Sequence, residues 1–353
     1  MKQGRTLTGL AEQLEHQLES KRDYIARPDA LTMTEGLSLS GLPEGEVGIT
    51  DLAHSQIAEF TGIPGPYYKR MKVSWPVLLS MNVNTWMKEQ GDKRRLIRTL
   101  DGSARAMLSD KYRPIDNYEL ADAVLPSISE AGAKLESCDL TERKMYLKAV
   151  FPKIEGEIKR GDPVQLGLVV SNSEVGCGSV SIQPLIYRLV CLNGMIAPDY
   201  SLRKYHAGRL NREEDITAAL FSSETLAADN HAFFLKVRDL VKGVLQQEVF
   251  DRILNGLRET TERKIERDPV QSIDFMAASF GLSKEERGGV LRHLVEGGDL
   301  SQWGVINAVT RTAQDVDSYD RATELETLGG KIAVLNKRDW QAIAVDGEYK
   351  EAA

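Results

Sequence analysis

Few of the side chains that usually carry catalysis or hold metals occur in this sequence. Three cysteines (Cys138, Cys177, Cys191) make an odd number with no close pair, which argues against a disulfide framework and for reduced thiols in the cytosol. Five histidines (His16, His54, His206, His231, His293) show no His-x-x-x-His spacing, and no Cys-x-x-Cys accompanies them, so no metal site is expected. The Gly-x-x-x-x-Gly-Lys-Ser/Thr phosphate loop does not occur. The Gly-x-Gly of "VGCGS" (175–179) lacks the following helical pattern that a dinucleotide fingerprint needs, so no cofactor is expected. No apolar run approaches the roughly 18–20 residues that cross a bilayer, and the polar start "MKQGRTLTGLAEQLEHQLESKRDY" is not a secretory leader. These absences predict a cytoplasmic protein with no membrane partner.

What is present is an ordinary globular composition, 42% apolar and 27% charged over 353 residues, long enough for two or three domains. The net charge of −7 is unevenly spread. Residues 213–353 hold 17 Lys/Arg against 26 Asp/Glu, whereas residues 1–212 hold 28 against 26. Within the first part, residues 88–113 carry eight basic and four acidic side chains, and residues 187–212 five and one. A local basic face is therefore compatible with the acidic total. Solvated, partly paired surface charge is the competing reading.

Residues 6–22 have a helical period, and residues 27–48 are a Gly, Pro and Ser-rich stretch that reads as loop or short strand. "ITDLAHSQIAEFTG" is a helix capped at Thr50 or Asp51 and stopped at Gly62, with further helix through "SWPVLLSMNVNTWMKEQ". From about residue 94 the period changes. "RRLIRTLDGSARAMLSDKY" predicts a hairpin turning at Asp101-Gly102, and residues 117–132 an amphipathic helix. Three β-rich stretches follow, alternating at Met145, Leu147 and Ala149 and again at Leu185, Tyr187 and Leu189. After 213 every segment is helical, including an expected single long helix over 230–265.

The fold class is thus α+β: a central antiparallel sheet with helices on one side, followed by an all-helical C-terminal region. The expected divisions are a mostly helical region at 1–89, the central domain at 90–212, the helical region at 213–345 and a tail at 346–353. The turn "FGLSKEE" between short helices also suits a helix-turn-helix, although the acidic surroundings are wrong for reading DNA.

"SNSEVGCGSVSIQPLIYRLVCLNGM" (171–195) combines turn formers, two glycines, Arg188, Cys191 and Asn193-Gly194. Turn chemistry explains most of it. Arg188 is left over, and beyond it "SLRKYHAGRLNR" interleaves Arg203, Lys204 and Arg209 with Tyr205. "RTLDGSARAMLSDKYRPID" repeats the theme with Arg98, Arg105, Lys111, Tyr112 and Arg113. Cations pair phosphates while tyrosine rings stack on bases, so these ten residues are the candidate nucleic-acid contacts. Cys191 with His206 or His231 is a candidate nucleophile and base, but its place in an apolar strand suits a buried structural thiol.

Together the 171–195 stretch, "LSDKYRPIDNYEL" and "WGVINAVTRTAQD" resemble phage and plasmid proteins of the domain-of-unknown-function family 932, over about residues 50–330. The resemblance implies a mobile-element context and supplies no catalytic residue. In such genomes, proteins with an antiparallel sheet and basic loops include single-strand annealing recombinases, an analogy of class. Three functions stay open. The first is a non-enzymatic nucleic-acid-binding protein, with single-stranded DNA as partner, acting in recombination or replication. The second is a homo-oligomeric accessory factor whose 230–265 stripe mediates self-association. The third is an enzyme using Cys191 or a carboxylate.

Overall fold

The computed structural model describes residues 1–112, 114–197 and 223–347. The first helix, α1 (Leu7–Ser20), is capped by the Thr6 hydroxyl, which accepts from the Gly9 N–H. A six-stranded sheet then forms from β1 (Arg22–Ala26), β2 (Thr32–Met33), β3 (Leu39–Leu42), β4 (Gly45–Ile49), β5 (Arg95–Leu100) and β6 (Ser103–Ser109), in the order β1-β5-β6-β4-β3-β2. The β5–β6 turn falls at Asp101-Gly102, both in the left-handed region, the pairing that a two-residue hairpin demands. Every pair is antiparallel except β4 with β6.

The hairpin anticipated for the central domain therefore belongs to the N-terminal sheet. In that region four short strands lie between α1 and the helices that follow. Residues 27–48, which read as loop or short strand, hold β2, β3 and most of β4, whereas the five residues of β1 show no usable alternation.

Three helices, α2 (Asp51–Thr61), α3 (Gly65–Ser74) and α4 (Pro76–Glu89), cover this sheet. Ile57, Tyr68, Met71, Leu79, Val83 and Met87 meet Leu39, Val47, Ile97 and Met107 in its core. His54 of α2 is buried there, its Nδ1 2.8 Å from the Tyr68 hydroxyl. Burial, aided by the Lys72 charge against the opposing pull of Asp51, lowers its pKa from 6.5 to about 4. The unfolded imidazole takes a proton below pH 6.5 while the folded one stays neutral until about pH 4. Stability is then lost as pH falls through that window, by about 2 kcal/mol at pH 5 and about 3 kcal/mol at pH 4. Urea unfolding of the wild type and His54→Gln at pH 7 and pH 5 checks this. The variant should lose less stability between the two pH values, and an equal loss would place no neutral imidazole in the core.

Helix α5 (Asn117–Glu130) leads into the second sheet. Its strands β7 (Lys134–Leu140), β8 (Met145–Glu157), β9 (Pro163–Asn172), β10 (Ser181–Arg188) and β11 (Asn193–Ile196) form an antiparallel meander, β11-β10-β9-β8-β7. One face carries Met145, Leu147, Ala149, Leu168, Val170 and Ile182 against α1, α5 and α6 (Ser223–Val244).

The remaining chain is helical: α7 (Gln247–Glu262), α8 (Pro269–Phe280), α9 (Lys284–Gly297), α10 (Gln302–Thr312), α11 (Tyr319–Ala333) and α12 (Lys337–Gln341), then a π turn over Ala342–Asp346. The "FGLSKEE" turn is Gly281 in the left-handed region followed by a Ser283–Glu286 capping box. Among the described residues no helix is long and apolar enough to cross a membrane.

The long helix expected over 230–265 is two helices, α6 and α7, because Gln246 is extended and breaks the backbone ladder. The break lets its apolar stripe serve two cores. Val237, Val241 and Val244 pack under the five-stranded sheet, whereas Phe250, Ile253, Leu254 and Leu257 pack among α8 to α11 with Val164, Leu166 and Ile186. A stripe consumed inside one chain is not available for self-association.

Candidate nucleic-acid interface

The second face of the five-stranded sheet is only partly covered. Strand register brings Tyr146, Ser171 and Ser181 into one row across it, and Lys148, Val169 and Gln183 into the next. Helix α11 crosses this face, pinned at its first half. Tyr319 shares a 2.6 Å hydrogen bond with the Ser137 hydroxyl, and Asp320 accepts from the hydroxyls of Tyr146 (2.8 Å) and Thr141 (3.1 Å). Lys148 donates to Thr323 (2.9 Å) and Glu326 (2.5 Å), an ion pair sealed from solvent at 0% exposure on both sides.

Between these rows and α11 runs an open groove of about 700 Å³. Ser171, Ser181, Gln183, Val169 and Ile196 give it a floor of hydroxyl, amide and apolar groups. Asp320, Thr323, Glu324, Thr327 and Lys331 form one wall, as their three- and four-residue spacing on a helix requires. Leu108, Ser109, Tyr112 and Lys144 close the other side with the 176–179 turn, where Gly176 holds φ +80°.

The charges of the groove are not equivalent. Asp320 is occupied by two hydroxyls, and Glu324 by Arg321 at 2.7 Å. Lys144 and Lys331 form no ion pair among the described residues. Burial together with the Asp320 carboxylate pushes the Tyr146 phenol well above its ordinary range, and burial raises Tyr112 and Cys177 as well. The groove therefore offers neutral hydroxyls, two unpaired ammonium groups, the hydroxyl-bonded carboxylate of Asp320 and one aromatic rim residue.

Of the cations picked from the sequence, three turn inward. Arg98 is 1% exposed and reaches Asp23 (2.8 Å), Asp116 (3.3 Å) and the Glu174 carbonyl (2.8 Å). Arg105 pairs with buried Glu174 at 2.6 Å, and Arg188 with buried Asp162 at 2.6 and 3.0 Å. These guanidinium groups hold the fold's own carboxylates, so in this conformation they do not face a phosphate. Tyr112 stands at the groove, its hydroxyl donating to the Ser173 carbonyl at 2.8 Å, and Lys111 beside it is exposed. Arg113, Arg203, Lys204, Tyr205 and Arg209 lie outside the described residues. Cys191 is half-buried, its sulfur 3.3 Å from Arg188 Nη1, with no histidine hydrogen-bonded to it among the described residues.

The Ser-Asn-Ser-Glu run at 171–174 is a junction between the two sheets. The Asn172 amide donates to the Ile115 carbonyl and Asn117, the Ser173 hydroxyl accepts from the Cys177 N–H, and Glu174 accepts from the Asn117 N–H at 2.6 Å. Sequence reading missed Lys144, Lys331 and the α11 wall. A lysine at one strand turn and another on a distant helix share no local pattern. The only usable signal was the polar spacing of Asp320, Thr323, Glu324 and Thr327 along one helical face.

The profile of a family described as Domain of unknown function (DUF932) matches residues 105–335. That span holds most of β6, the whole five-stranded sheet and α11, and every described residue that lines the groove. No curated protein and no solved structure matches the chain.

Proposed function

The chain belongs to the family described as Domain of unknown function (DUF932), and from that premise we propose that it is a non-enzymatic single-stranded-DNA-binding protein. In this reading it serves recombination or replication of a phage or plasmid in the cytoplasm. The observation that carries the reading is the open groove with Lys144 and Lys331 unpaired at its sides, Tyr112 at its rim and a hydroxyl-rich floor. A groove open at the surface suits a chain that passes through it. Separated ammonium groups suit successive phosphates, and a tyrosine rim suits an unstacked base. The segment 201–212, rich in Arg and Lys, follows β11 in sequence, and Ile196 of that strand lines the groove.

The test is fluorescence anisotropy of a labelled oligothymidine titrated with the full chain over a salt series. The double variant Lys144→Ala/Lys331→Ala is expected to bind about tenfold more weakly at low salt. Its log K against log salt slope should flatten by about 1.4, from about 0.7 per phosphate contact on a single strand. Arg203→Ala/Lys204→Ala should behave similarly if the basic segment shares the strand. Duplex DNA of the same length should bind less tightly, because its bases are not exposed for stacking. Absence of binding by the wild type at low salt would overturn the proposal.

A further inference from the structure

Outside the groove, the most anomalous surface lies on the N-terminal sheet's cover. Large apolar side chains are exposed along one 14-residue stretch: Val73 (85%), Trp75 (61%), Val77 (46%), Leu78 (43%), Met81 (63%) and Trp86 (42%). The core-facing side of the same helices is fully engaged, with Met71, Leu79, Val83 and Met87 at 0–1% exposure. Helix α4 is thus apolar on two sides, and only one of them is used. A soluble monomer rarely leaves such a contiguous patch bare. Together with exposed Tyr67, these side chains present on the order of 800 Å², which is what one subunit gives to a standard interface.

We propose that α4 is the two-fold interface of a homodimer, paired antiparallel with its copy about Met81. Two features select a second copy in that orientation. Val77, Met81 and Thr85 repeat every four residues, giving a straight stripe that matches itself when reversed. Antiparallel pairing carries Trp75 of one copy toward Trp86 of the other, so each exposed indole is covered by the partner's end of the stripe. The interface lies on the N-terminal sheet, outside the groove, and does not depend on the DNA-binding reading.

Sedimentation velocity on the full chain across the micromolar range tests this. The expected species has twice the mass of the 39.2 kDa chain, and its tryptophan emission should shift to the blue as it forms. Trp303 and Trp340 are buried at 2% and 4% exposure, so that shift reports Trp75 and Trp86. Met81→Glu should raise the dimer dissociation constant more than tenfold with unchanged circular dichroism, since the side chain touches no core. Trp75→Ala and Trp86→Ala should each weaken the dimer, and the double variant should lose less than the two losses added, because antiparallel pairing sets one indole against the other. A monomer throughout the range, or a dimer indifferent to Met81→Glu, overturns the proposal. A dimer weakened by Met81→Glu in which the two tryptophan losses simply add overturns the antiparallel orientation.

Discussion

Lys148→Met is expected to cost about 3–5 kcal/mol, measured as a fall in the urea midpoint, because it leaves the Glu326 carboxylate buried without a counterion. The surroundings offer that carboxylate little else. Its Oε1 already has no hydrogen-bond partner, and Thr323 loses its ammonium donor in the same step. The companion variant Lys148→Met/Glu326→Leu removes both charges, and most of the loss should disappear with them. A buried ion pair costs desolvation on both sides and is often replaceable by apolar side chains of similar volume. The consequence reaches the groove, since this pair fastens α11 to the sheet and α11 is the groove wall. Neither Lys148 nor Glu326 lines the groove, so oligonucleotide affinity should fall in the single variant and return in the double. A single variant within 1 kcal/mol of wild type would mean that the pair is open to water.

Elements fixed by short-range chemistry were legible in the sequence. The caps at Thr50 and Gly62, the Asp101-Gly102 turn and the β8–β10 alternation each follow from neighbours within a few residues, and each stands where its residues indicate. The family resemblance carried by the 171–195 stretch, "LSDKYRPIDNYEL" and "WGVINAVTRTAQD" holds, since all three lie within or largely within residues 105–335.

What was not legible depends on partners distant in sequence. The β5–β6 hairpin was read correctly, yet its sheet was not, because pairing with β1 and β4 is decided 50 or more residues away. Arginine is the sharpest case. Arg98 looks like a surface cation in "RRLIRTL", and its burial depends on Asp23 and Asp116, which no local pattern links to it. A guanidinium that meets two carboxylates and a carbonyl while leaving water is a structural group. The break at Gln246 belongs to the same class. An apolar stripe with unbroken helical period divides between two cores, and only the tertiary arrangement shows which half faces which.

Glu174→Gln should be the second large effect, about 3–5 kcal/mol, and it addresses what the Ser-Asn-Ser-Glu run is for. The carboxylate accepts from Arg105 through one oxygen and from the Asn117 N–H through the other, at 2.6 Å each. A carboxamide has one acceptor oxygen and one donor nitrogen, so one of these two donors must face an N–H₂ group. The Arg105 guanidinium meanwhile stays buried with its charge unbalanced. The damage should localise, because Glu174 joins β6 of the first sheet to the end of β9 and the start of α5. Hydrogen exchange should therefore accelerate at the β5–β6 amides and over 115–120 before it does in the α8–α11 bundle. Uniform exchange rates across the chain would show that the two sheets are not coupled through this carboxylate. Ser171, three residues earlier on the groove floor, serves as the control. Ser171→Ala removes a hydroxyl that no buried group relies on, so it should leave exchange unchanged. Within four consecutive residues, then, the chain places one side chain in the groove and three in the joint that holds the groove's two sides in register.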